Sequence, residues 1–341
     1  MLVCDDSREF AGALTRTLEY DGDITVAAIC ATADKAIAAL SRIKPDLMTM
    51  DVDLPGMDGL TAIEEIMSSR PLPILVLSAK VGASSDRAAA AALAFGALDA
   101  IAKDDLDLHD PAGAAGAAFR HRVRVLCRAT VIRHLRAGLK ARPAAHGFDR
   151  SASVIGICAS TGGPQVLAHL LQVLPADYPI PLLIVQHMGA GFTEGLAHWL
   201  DTRVRLPVAI ARDGARAAAG AWIAPDGAHL KITESSRLFL DSRGVAGRHR
   251  PSGDALLQSI AACAGRRGVG IVLSGMGTDG AAGAAAVRHA GGLAIAQDSE
   301  SSVVFGMPKA AIDLGVEVVL APADIAGALL QLSYAPLPGA R

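Results

Sequence analysis

Short apolar runs alternate with amphipathic segments over the first 105 residues of the chain. Each run has the length and composition of a buried β-strand, and the predicted strands cover residues 2–4, 24–29, 46–50, 74–78 and 99–102. After the first run, Phe10, Leu14, Thr17 and Leu18 share one helical face. Another helix is expected to begin at residues 84–86 and to end at Gly96. This alternation favours an α/β fold with a parallel, doubly wound sheet.

The same alternation returns from residue 151 onward. Predicted strands lie at residues 154–159, 182–186, 221–224, 269–273, 293–296 and 316–320. Residues 229–233 and 237–240 are expected to form a β-hairpin on the sheet edge. With 341 residues, of which 51% are hydrophobic, the chain can bury two separate cores. A second doubly wound domain, with mainly parallel strands, is therefore expected over residues 151–341.

Residues 106–150 differ from the parts on either side. A low-complexity run at 111–116 is followed by basic residues interleaved with the apolar Val123, Leu126 and Ile132. This pattern predicts a basic linker that contains an amphipathic helix between a domain at 1–105 and one at 151–341. A helix that docks on a partner or on the other domain is an alternative. A nucleic-acid arm is disfavoured because few aromatic residues accompany the charge.

Composition excludes several classes of protein. The formal net charge is −2, so the whole chain has no electrostatic preference for nucleic acid or membrane surfaces. No apolar run approaches the roughly 20 residues that span a bilayer, and the acidic start is unlike a signal peptide. The five cysteines show no metal-binding spacing. A cytoplasmic protein with reduced thiols and no membrane insertion is expected.

Polar side chains follow four of the predicted strands in the first domain. Asp5 and Asp6 follow the first strand, and Asp51 ends the third. Carboxylates that meet at one sheet edge repel one another unless a hard cation such as Mg²⁺ lies between them. Ser78 and Lys103 add a hydroxyl and an ammonium group at the same edge. This set predicts phosphorylation of Asp51, with Lys103 and the cation neutralising the added charge and Ser78 donating a hydrogen bond.

In this order, the five residues resemble the receiver domain of two-component response regulators. The resemblance implies a flavodoxin-like fold and a histidine kinase as the phosphodonor of Asp51. It implies that Ser78 and Lys103 form the switch pair. The Mg²⁺ ligands implied by the resemblance are Asp5, Asp6, Asp51 and the main chain of Asp53.

Two positions depart from the receiver pattern. Asp104 follows Lys103 where the family usually has proline, and Ala100 stands where receivers usually carry the aromatic switch residue. Phosphoryl acceptance is therefore better supported here than the usual relay through an aromatic side chain.

Three predicted strands of the second domain also end in residues with catalytic side chains. Ser160 follows strand 154–159 on a glycine-rich turn, His187 follows strand 182–186, and Asp279 lies in a glycine-rich turn after strand 269–273. Serine, histidine and aspartate are the nucleophile, base and orienting group of a hydrolase triad. From the residues alone, phosphate or nucleotide binding at the Ser160 turn stays open. Cys158 is a rival nucleophile, interpreted as a deeper core residue.

Five segments of the second domain resemble the catalytic domain of the chemotaxis protein-glutamate methylesterases, the CheB family. They are Ala159-Ser160-Thr161-Gly162-Gly163, Gln186-His187-Met188, Arg248-His249-Arg250-Pro251-Ser252, Gly275-Met276-Gly277-Thr278-Asp279-Gly280 and Val303-Val304-Phe305-Gly306-Met307-Pro308. The resemblance implies that Ser160 is the nucleophile, His187 the base and Asp279 its orienting group. It also places Thr161 and the main chain of Met276 close to the reaction, at the oxyanion site.

Three positions of this domain depart from the usual pattern of the CheB family. Cys158 replaces a usual glycine, Thr278 a usual asparagine, and Gly253 a usual apolar residue after Pro-Ser. None of them removes a catalytic group.

Together, the two resemblances imply a phosphorylation-activated hydrolase of methyl esters on chemoreceptor glutamates, which also deamidates receptor glutamines. Receptor cytoplasmic domains are then the substrate, a chemotaxis histidine kinase the phosphodonor, and Mg²⁺ the cofactor of phosphorylation alone. A non-catalytic signalling protein is the main alternative. A transcription factor is disfavoured because strand-rich sequence replaces a helix-turn-helix after the linker.

Overall fold

The computed structural model describes residues 1–79, 88–93, 95–129, 150–243, 249–334 and 337. The chain folds into two compact units. One is built mainly on the residues before 130 and the other mainly on those after 150. Each unit is an α/β layer structure around a parallel sheet, which confirms the predicted fold class. Among the described helices, none is long and apolar enough to cross a membrane.

The first unit contains a five-stranded parallel sheet with the order β2-β1-β3-β4-β5. Strands β1, β3, β4 and β5 are wholly buried, which explains their apolar sequences, whereas the edge strand β2 is only partly buried. The order is that of flavodoxin-like folds, so β1 and β3 lie side by side at the sheet centre. The strands are β1 (Leu2–Cys4), β2 (Ala28–Cys30), β3 (Met48–Asp51), β4 (Ile74–Ser78) and β5 (Asp99–Ala102).

Helices of the first unit begin at residues that the sequence marks as caps. Ser7, Thr32 and Asp58 each accept a hydrogen bond from a main-chain N–H in the first helical turn. Residues 84–86, where a helix is expected to start, lie outside the described residues, and Gly96, at its expected end, has a φ of +111°. The helices are α1 (Arg8–Glu19), α2 (Ala33–Leu40), α3 (Gly59–Ser69), the helical residues 88–93 (α4) and α5 (Ala114–Cys127).

Helix α5 lies in the segment expected to be a linker, and it packs with α1 in the first unit. Its apolar face is buried through Phe119, Val123 and Leu126. Arg120 is also buried, and it donates to Asp21 Oδ2 at 2.7 Å and to two main-chain oxygens. The expected amphipathic helix is therefore present and belongs to the first unit, since these contacts hold it there. Of the segment 106–150, residues 130–149 lie outside the described part, and the domain limits stay a prediction.

The second unit is built on a seven-stranded parallel sheet with the order β15-β14-β13-β7-β8-β10-β9. The three strands that precede the predicted triad residues, β7, β8 and β13, are central neighbours, and each is buried on both faces. The strands are β7 (Val154–Ala159), β8 (Leu182–Gln186), β9 (Val208–Ile210), β10 (Ala221–Ile223), β13 (Gly268–Val272), β14 (Leu293–Gln297) and β15 (Val318–Leu320).

Six helices accompany this sheet. They are α6 (Gly163–Gln172), α7 (Thr193–Asp201), α8 (Gly253–Ala264), α9 (Ala281–His289), α10 (Met307–Asp313) and α11 (Pro322–Gln331). Pro164 occupies the first turn of α6, as its position in the sequence predicts. Helices α8 and α9 pack closely because residue 283 is a glycine. A Cβ atom there would lie only 2.6 Å from Leu257 Cβ.

The predicted hairpin is present as β11 (His229–Ile232) and β12 (Leu238–Asp241), in a two-stranded antiparallel sheet of its own. It is not hydrogen-bonded to the edge of the large sheet, whose outer strands are β9 and β15. The sequence prediction missed β9 and a small parallel pair, β6 (Ser151–Ala152) with β16 (Ser333–Tyr334). These strands are two or three residues long, too short for a hydrophobic period to mark them.

Candidate functional site

The carboxyl edge of the sheet in the first unit holds an acidic cluster. Carboxylate oxygens of Asp5, Asp6 and Asp51 lie within 4.8 Å of one another. Asp5 and Asp51 are buried, while Asp6 is exposed. The main-chain N–H of Asp53 donates to Asp51 Oδ1 at 3.0 Å, so the turn after β3 orients this carboxylate. The sheet therefore brings together the residues that the sequence placed there.

Lys103 is the cation that faces this cluster. Its Nζ lies 2.7 Å from Asp5 Oδ2, 2.5 Å from Asp51 Oδ2 and 4.6 Å from the centre of the Phe10 ring. Burial opposes the charge of the ammonium group, but the hydrogen bonds to Asp5 and Asp51 outweigh it and raise the pKa of Lys103. Burial also raises the pKa of Asp5, despite the ion pair with Lys103. Ser78 is fully buried at the end of β4, with its Oγ 3.4 Å from the Ala79 carbonyl oxygen.

The donor set of this cluster fits a hard divalent cation. Three carboxylates provide oxygen ligands at neighbouring strand ends, which is the chemistry that Mg²⁺ prefers. One lysine cannot neutralise three carboxylates, so a bound cation would relieve the remaining repulsion. The residues that would hold it are Asp5, Asp6 and Asp51, together with the main chain of Asp53.

Ser160 lies between the end of β7 and the start of α6. Its main-chain N–H donates to the Ser274 carbonyl oxygen at 3.0 Å, and its own carbonyl oxygen accepts from Gly163 N–H at 2.8 Å. This close approach of the main chain at 274–275 to Ser160 needs a glycine at 275, where a Cβ atom would lie 2.7 Å from Ser160 Cβ. The serine is therefore held rigidly, 9% exposed, at the N-terminal end of a ten-residue helix. The positive end of the helix dipole favours a developing negative charge there.

His187 and Asp279 are in close contact beside this serine turn. Nε2 of His187 lies 2.9 Å from Oδ2 of Asp279. The contact is out of line for a linear hydrogen bond, and within the described residues neither ring nitrogen makes one. His187 is placed by β8, because its N–H donates to the Ala159 carbonyl oxygen at 2.8 Å. As the ring stands, Nε2 is the nitrogen that faces the carboxylate.

Asp279 is held by the first turn of α8. Its carboxylate accepts from Ser252 Oγ at 2.8 Å and from the main-chain N–H groups of Gly253 and Asp254 at 2.6 and 3.1 Å. Burial alone would raise the pKa of this carboxyl group. The close contact with the His187 ring and the hydrogen bonds from the helix terminus override burial and hold the pKa of Asp279 well below its usual range. The carboxylate therefore stays ionised opposite His187.

Two further side chains organise the base. The ring of His249 stacks on that of His187, with centroids 4.5 Å apart and planes 17° from parallel. Gln186 is buried, and its Nε2 donates to the carbonyl oxygens of Ser160 and His187 at 2.8 and 2.9 Å. One carboxamide thus ties together the main chains that carry the nucleophile and the base.

His249, Ser252 and Gln186 lie in segments that resemble the family, but the sequence pattern assigns them no role. A signal existed for Ser252, because a serine just before an amphipathic apolar run is typical of a helix N-cap. No local pattern marks the stacking of His249 or the bridge made by Gln186. Both depend on which strands become neighbours.

The remaining predicted residues occupy the same edge. Thr161 is buried next to Ser160, and Met276 is half-buried after the end of β13. No hydrogen bond joins Ser160 Oγ to His187 within the described chain. Such contacts are often loose before substrate binds, so the triad roles stay a prediction. Cys158 is fully buried, and burial raises the pKa of its thiol strongly, as expected of a core residue.

Comparisons with known proteins agree on both halves of the chain. The CheB methylesterase family profile matches residues 155–329, and the response regulator receiver domain profile matches residues 1–109. Protein-glutamate methylesterase/protein-glutamine glutaminase 2 of Anaeromyxobacter dehalogenans is 42% identical over 337 residues, covering 98% of this chain and 96% of the relative. The enzyme of the same name from Escherichia coli K12 is 36% identical, covering 92% of this chain and 91% of the relative.

A solved structure supports the assignment of the second unit. The crystal structure of the Thermotoga maritima CheB methylesterase catalytic domain is 37% identical, with a TM-score of 0.50. It covers 53% of this chain and 98% of that domain. Because the relatives match over nearly the full length and the profile spans the second unit, the chain belongs to the CheB methylesterase family, with a response regulator receiver domain in front of the hydrolase domain.

Proposed function

We propose that this protein is a receiver-controlled protein-glutamate methylesterase and protein-glutamine glutaminase that acts on cytoplasmic domains of chemoreceptors. Its full-length relatives carry the name of this activity. The observation that carries the proposal is the set formed by Ser160, His187 and Asp279 at three adjacent strand ends of one buried sheet. Hydrolysis itself needs no cofactor in this scheme.

In the acylation step, Ser160 Oγ attacks the γ-carbonyl carbon of a glutamyl methyl ester. His187 accepts the serine proton, and the ionised Asp279 stabilises the imidazolium that forms. The oxyanion lies near the start of α6. The proposed donors are the main-chain N–H groups of Thr161, just before that helix, and of Met276, after β13. The N–H of Ser160 is already bonded to Ser274, so it is not one of them. His187 returns the proton to the leaving oxygen, and methanol departs.

In the second step, water attacks the acyl-enzyme while His187 takes a proton from it. The C–O bond to Ser160 breaks, the serine regains its proton, and the substrate is released as a glutamate. A glutamine side chain follows the same course, with ammonia leaving in place of methanol. Either reaction converts a neutral substrate side chain into a carboxylate.

Phosphorylation of the receiver would switch this activity on. We propose that Asp51 takes a phosphoryl group from a histidine kinase, with Ser78 and Lys103 binding the phosphoryl oxygens. A Mg²⁺ ion held by the acidic cluster would supply charge neutralisation to this transfer. The modification would shift the protein toward a form in which the Ser160 rim is open. We expect this cycle to take place in the cytoplasm.

Methanol release from methylated receptor fragments tests the catalytic half. Ser160→Ala should lose at least 10³-fold of the rate, because no other side chain of the set can form the acyl intermediate. Reaction of the wild-type protein with an organophosphate should label Ser160. Full activity of Ser160→Ala would contradict the triad, and an unlabelled serine with no methanol release would favour a non-catalytic adaptor.

A further inference from the structure

The β11–β12 hairpin, with Arg243 and Arg250 after it, carries a cationic surface with an exposed aromatic ring. Phe239 is 45% exposed on β12, and the exposed Arg237, Arg243 and Arg250 precede and follow it along the chain. Exposed phenylalanine flanked by arginine is the composition of a binding hot spot, whereas most exposed side chains of a folded domain are polar. We call these residues, together with Arg216, the arginine surface.

Two arginines of this surface lie opposite each other. Arg216 and Arg237 are paired in an antiparallel β-bridge, so their side chains leave neighbouring positions on the same side. Arg237 Nη1 donates to the Gly214 carbonyl oxygen, and within the described residues no carboxylate forms an ion pair with either guanidinium. Like charges in opposed positions destabilise a strand pair. An anion bound between the two guanidinium groups would relieve this repulsion.

Nearby acids do not compensate these charges. Asp241 is paired with Lys231 at 2.8 Å, and Asp213 accepts a hydrogen bond from the main chain of Leu240. Glu234 lies at the hairpin turn and is exposed. The surface is therefore left with an excess of positive charge.

The arginine surface begins next to the catalytic residues. Arg250 Nη1 donates to the Ser242 carbonyl oxygen at 3.1 Å, which ties the end of β12 to the segment whose His249 stacks on His187. The hairpin also packs on α8, through a hydrogen bond from Ile232 N–H to Ser259 Oγ. Strand β12 itself spans roughly 13 Å, about two and a half helical turns, and Arg237 and Arg243 lie beyond its two ends.

We propose that the arginine surface binds the acidic helix that carries the substrate side chain. This inference rests on the proposed function and extends it to recognition. Every turnover leaves a carboxylate on the substrate, so a substrate with several sites becomes more acidic around those that remain. Glutamates on successive turns to one side of the reacting residue would then contact Arg243, Arg237 and Arg216, while the apolar side of the helix covers Phe239.

The test uses full-length protein treated with a small-molecule phosphodonor and three esters. One is a helical peptide with a single glutamyl γ-methyl ester among glutamates, the second has serines in place of those glutamates, and the third is p-nitrophenyl acetate. The double variant Arg216→Gln/Arg237→Gln should raise the KM for the acidic peptide roughly tenfold and leave kcat within about twofold. Its rates on the serine peptide and on p-nitrophenyl acetate should equal those of the wild type.

Arg266→Gln is the matched control, since this exposed arginine precedes β13 at the opposite end of the sheet. It removes one positive charge and should leave the KM for the acidic peptide unchanged. Phe239→Ser should also raise that KM, and added salt should weaken acidic-peptide binding by the wild type more than by the double variant. Equal KM values of wild type and double variant for the acidic peptide would overturn the proposal. Absence of methanol release from both peptides in the wild type would instead contradict the proposed function.

Discussion

At the scale of single residues, Asp279 depends on a helix terminus 27 positions earlier in the chain. Ser252 Oγ donates to this carboxylate and at the same time accepts from the Ala255 N–H as the cap of α8. One hydroxyl therefore connects the start of a helix to the carboxylate that faces the base. Removing it would loosen the cap and the orientation of Asp279 together.

Ser252→Ala should lower kcat roughly 10- to 100-fold, because the carboxylate loses one of the bonds that aim it at His187. It should also cost about 1 kcal/mol of unfolding free energy through the lost cap. Ser252→Thr keeps the hydroxyl and should retain most of both. Methanol-release kinetics and urea denaturation measure the two effects. A Ser252→Ala protein with wild-type kcat would show that the main-chain N–H groups of Gly253 and Asp254 suffice.

Cys158 and Gly253 are both departures from the usual family residues, and the structure places them in contact. A Cβ atom on Gly253 would lie 2.7 Å from Cys158 Sγ and 3.0 Å from its Cβ. The larger residue at 158 thus occupies the space that an apolar side chain at 253 would need. The two departures are one compensated exchange beneath the Ser160 turn.

Gly253→Val alone should therefore destabilise the protein by about 1–3 kcal/mol through overpacking. Cys158→Gly alone should also destabilise, because it leaves a cavity at a fully buried site. The double variant should regain at least about 1 kcal/mol relative to the sum of the two changes. Thermal or urea unfolding of the four proteins in the cycle measures the coupling. Strictly additive effects would mean that the two sites relax independently.

At the scale of secondary structure elements, α5 shows how one buried cation can fix a helix. Arg120 reaches Asp21 after α1, the Thr17 carbonyl oxygen within α1 and the Pro111 carbonyl oxygen. Arg124, one turn further along α5, pairs with Asp21 and Asp23 at the surface. The basic character of this helix thus serves to hold it against acids of the first unit.

Arg120→Met should destabilise the receiver unit by about 1–3 kcal/mol, because two buried carbonyl oxygens lose their donor. Arg124→Met is the matched control at an exposed position, and its effect should be much smaller since solvent screens that pair. Urea unfolding of the two variants, followed by circular dichroism, compares them. An equal loss in both would show that charge on α5, and not burial of Arg120, holds the helix.

The long, strongly apolar strands of both sheets were predicted closely from sequence. The strands at 74–78 and 99–102 have the predicted limits, whereas β2 begins at Ala28, four residues later than expected. An edge strand such as β2 is only partly buried, so its hydrophobic pattern is weak and its limits are decided by the pairing with β1. The same reason accounts for the missed β9.

At the scale of the whole molecule, phosphorylation chemistry and ester hydrolysis depend on different groups. The acidic cluster with Lys103 lies in the first unit, and Ser160, His187 and Asp279 lie in the second. Mg²⁺ is expected to act only at the first of these sites. Control by the receiver and catalysis by the hydrolase should therefore be separable by experiment.

EDTA should abolish stimulation of methanol release by a phosphodonor and leave the basal rate unchanged, because only phosphoryl transfer uses the cation. Asp51→Asn should behave in the same way with Mg²⁺ present. Activity of wild type and variant, with and without phosphodonor, provides the comparison. A fall in the basal rate on chelation would mean that a metal takes part in hydrolysis.

The sequence by itself determined the two α/β layers, the residues at each strand end and the family, since these follow from local hydrophobic runs and from motifs read in order. Only the tertiary structure decided that Gln186 bridges two main chains, that His249 stacks on His187 and that Cys158 fills the space beside Gly253. It also decided that α5 packs in the first unit. Those contacts join positions that are distant in the sequence, and the order of strands in the sheet, which no local pattern records, selects which of them meet.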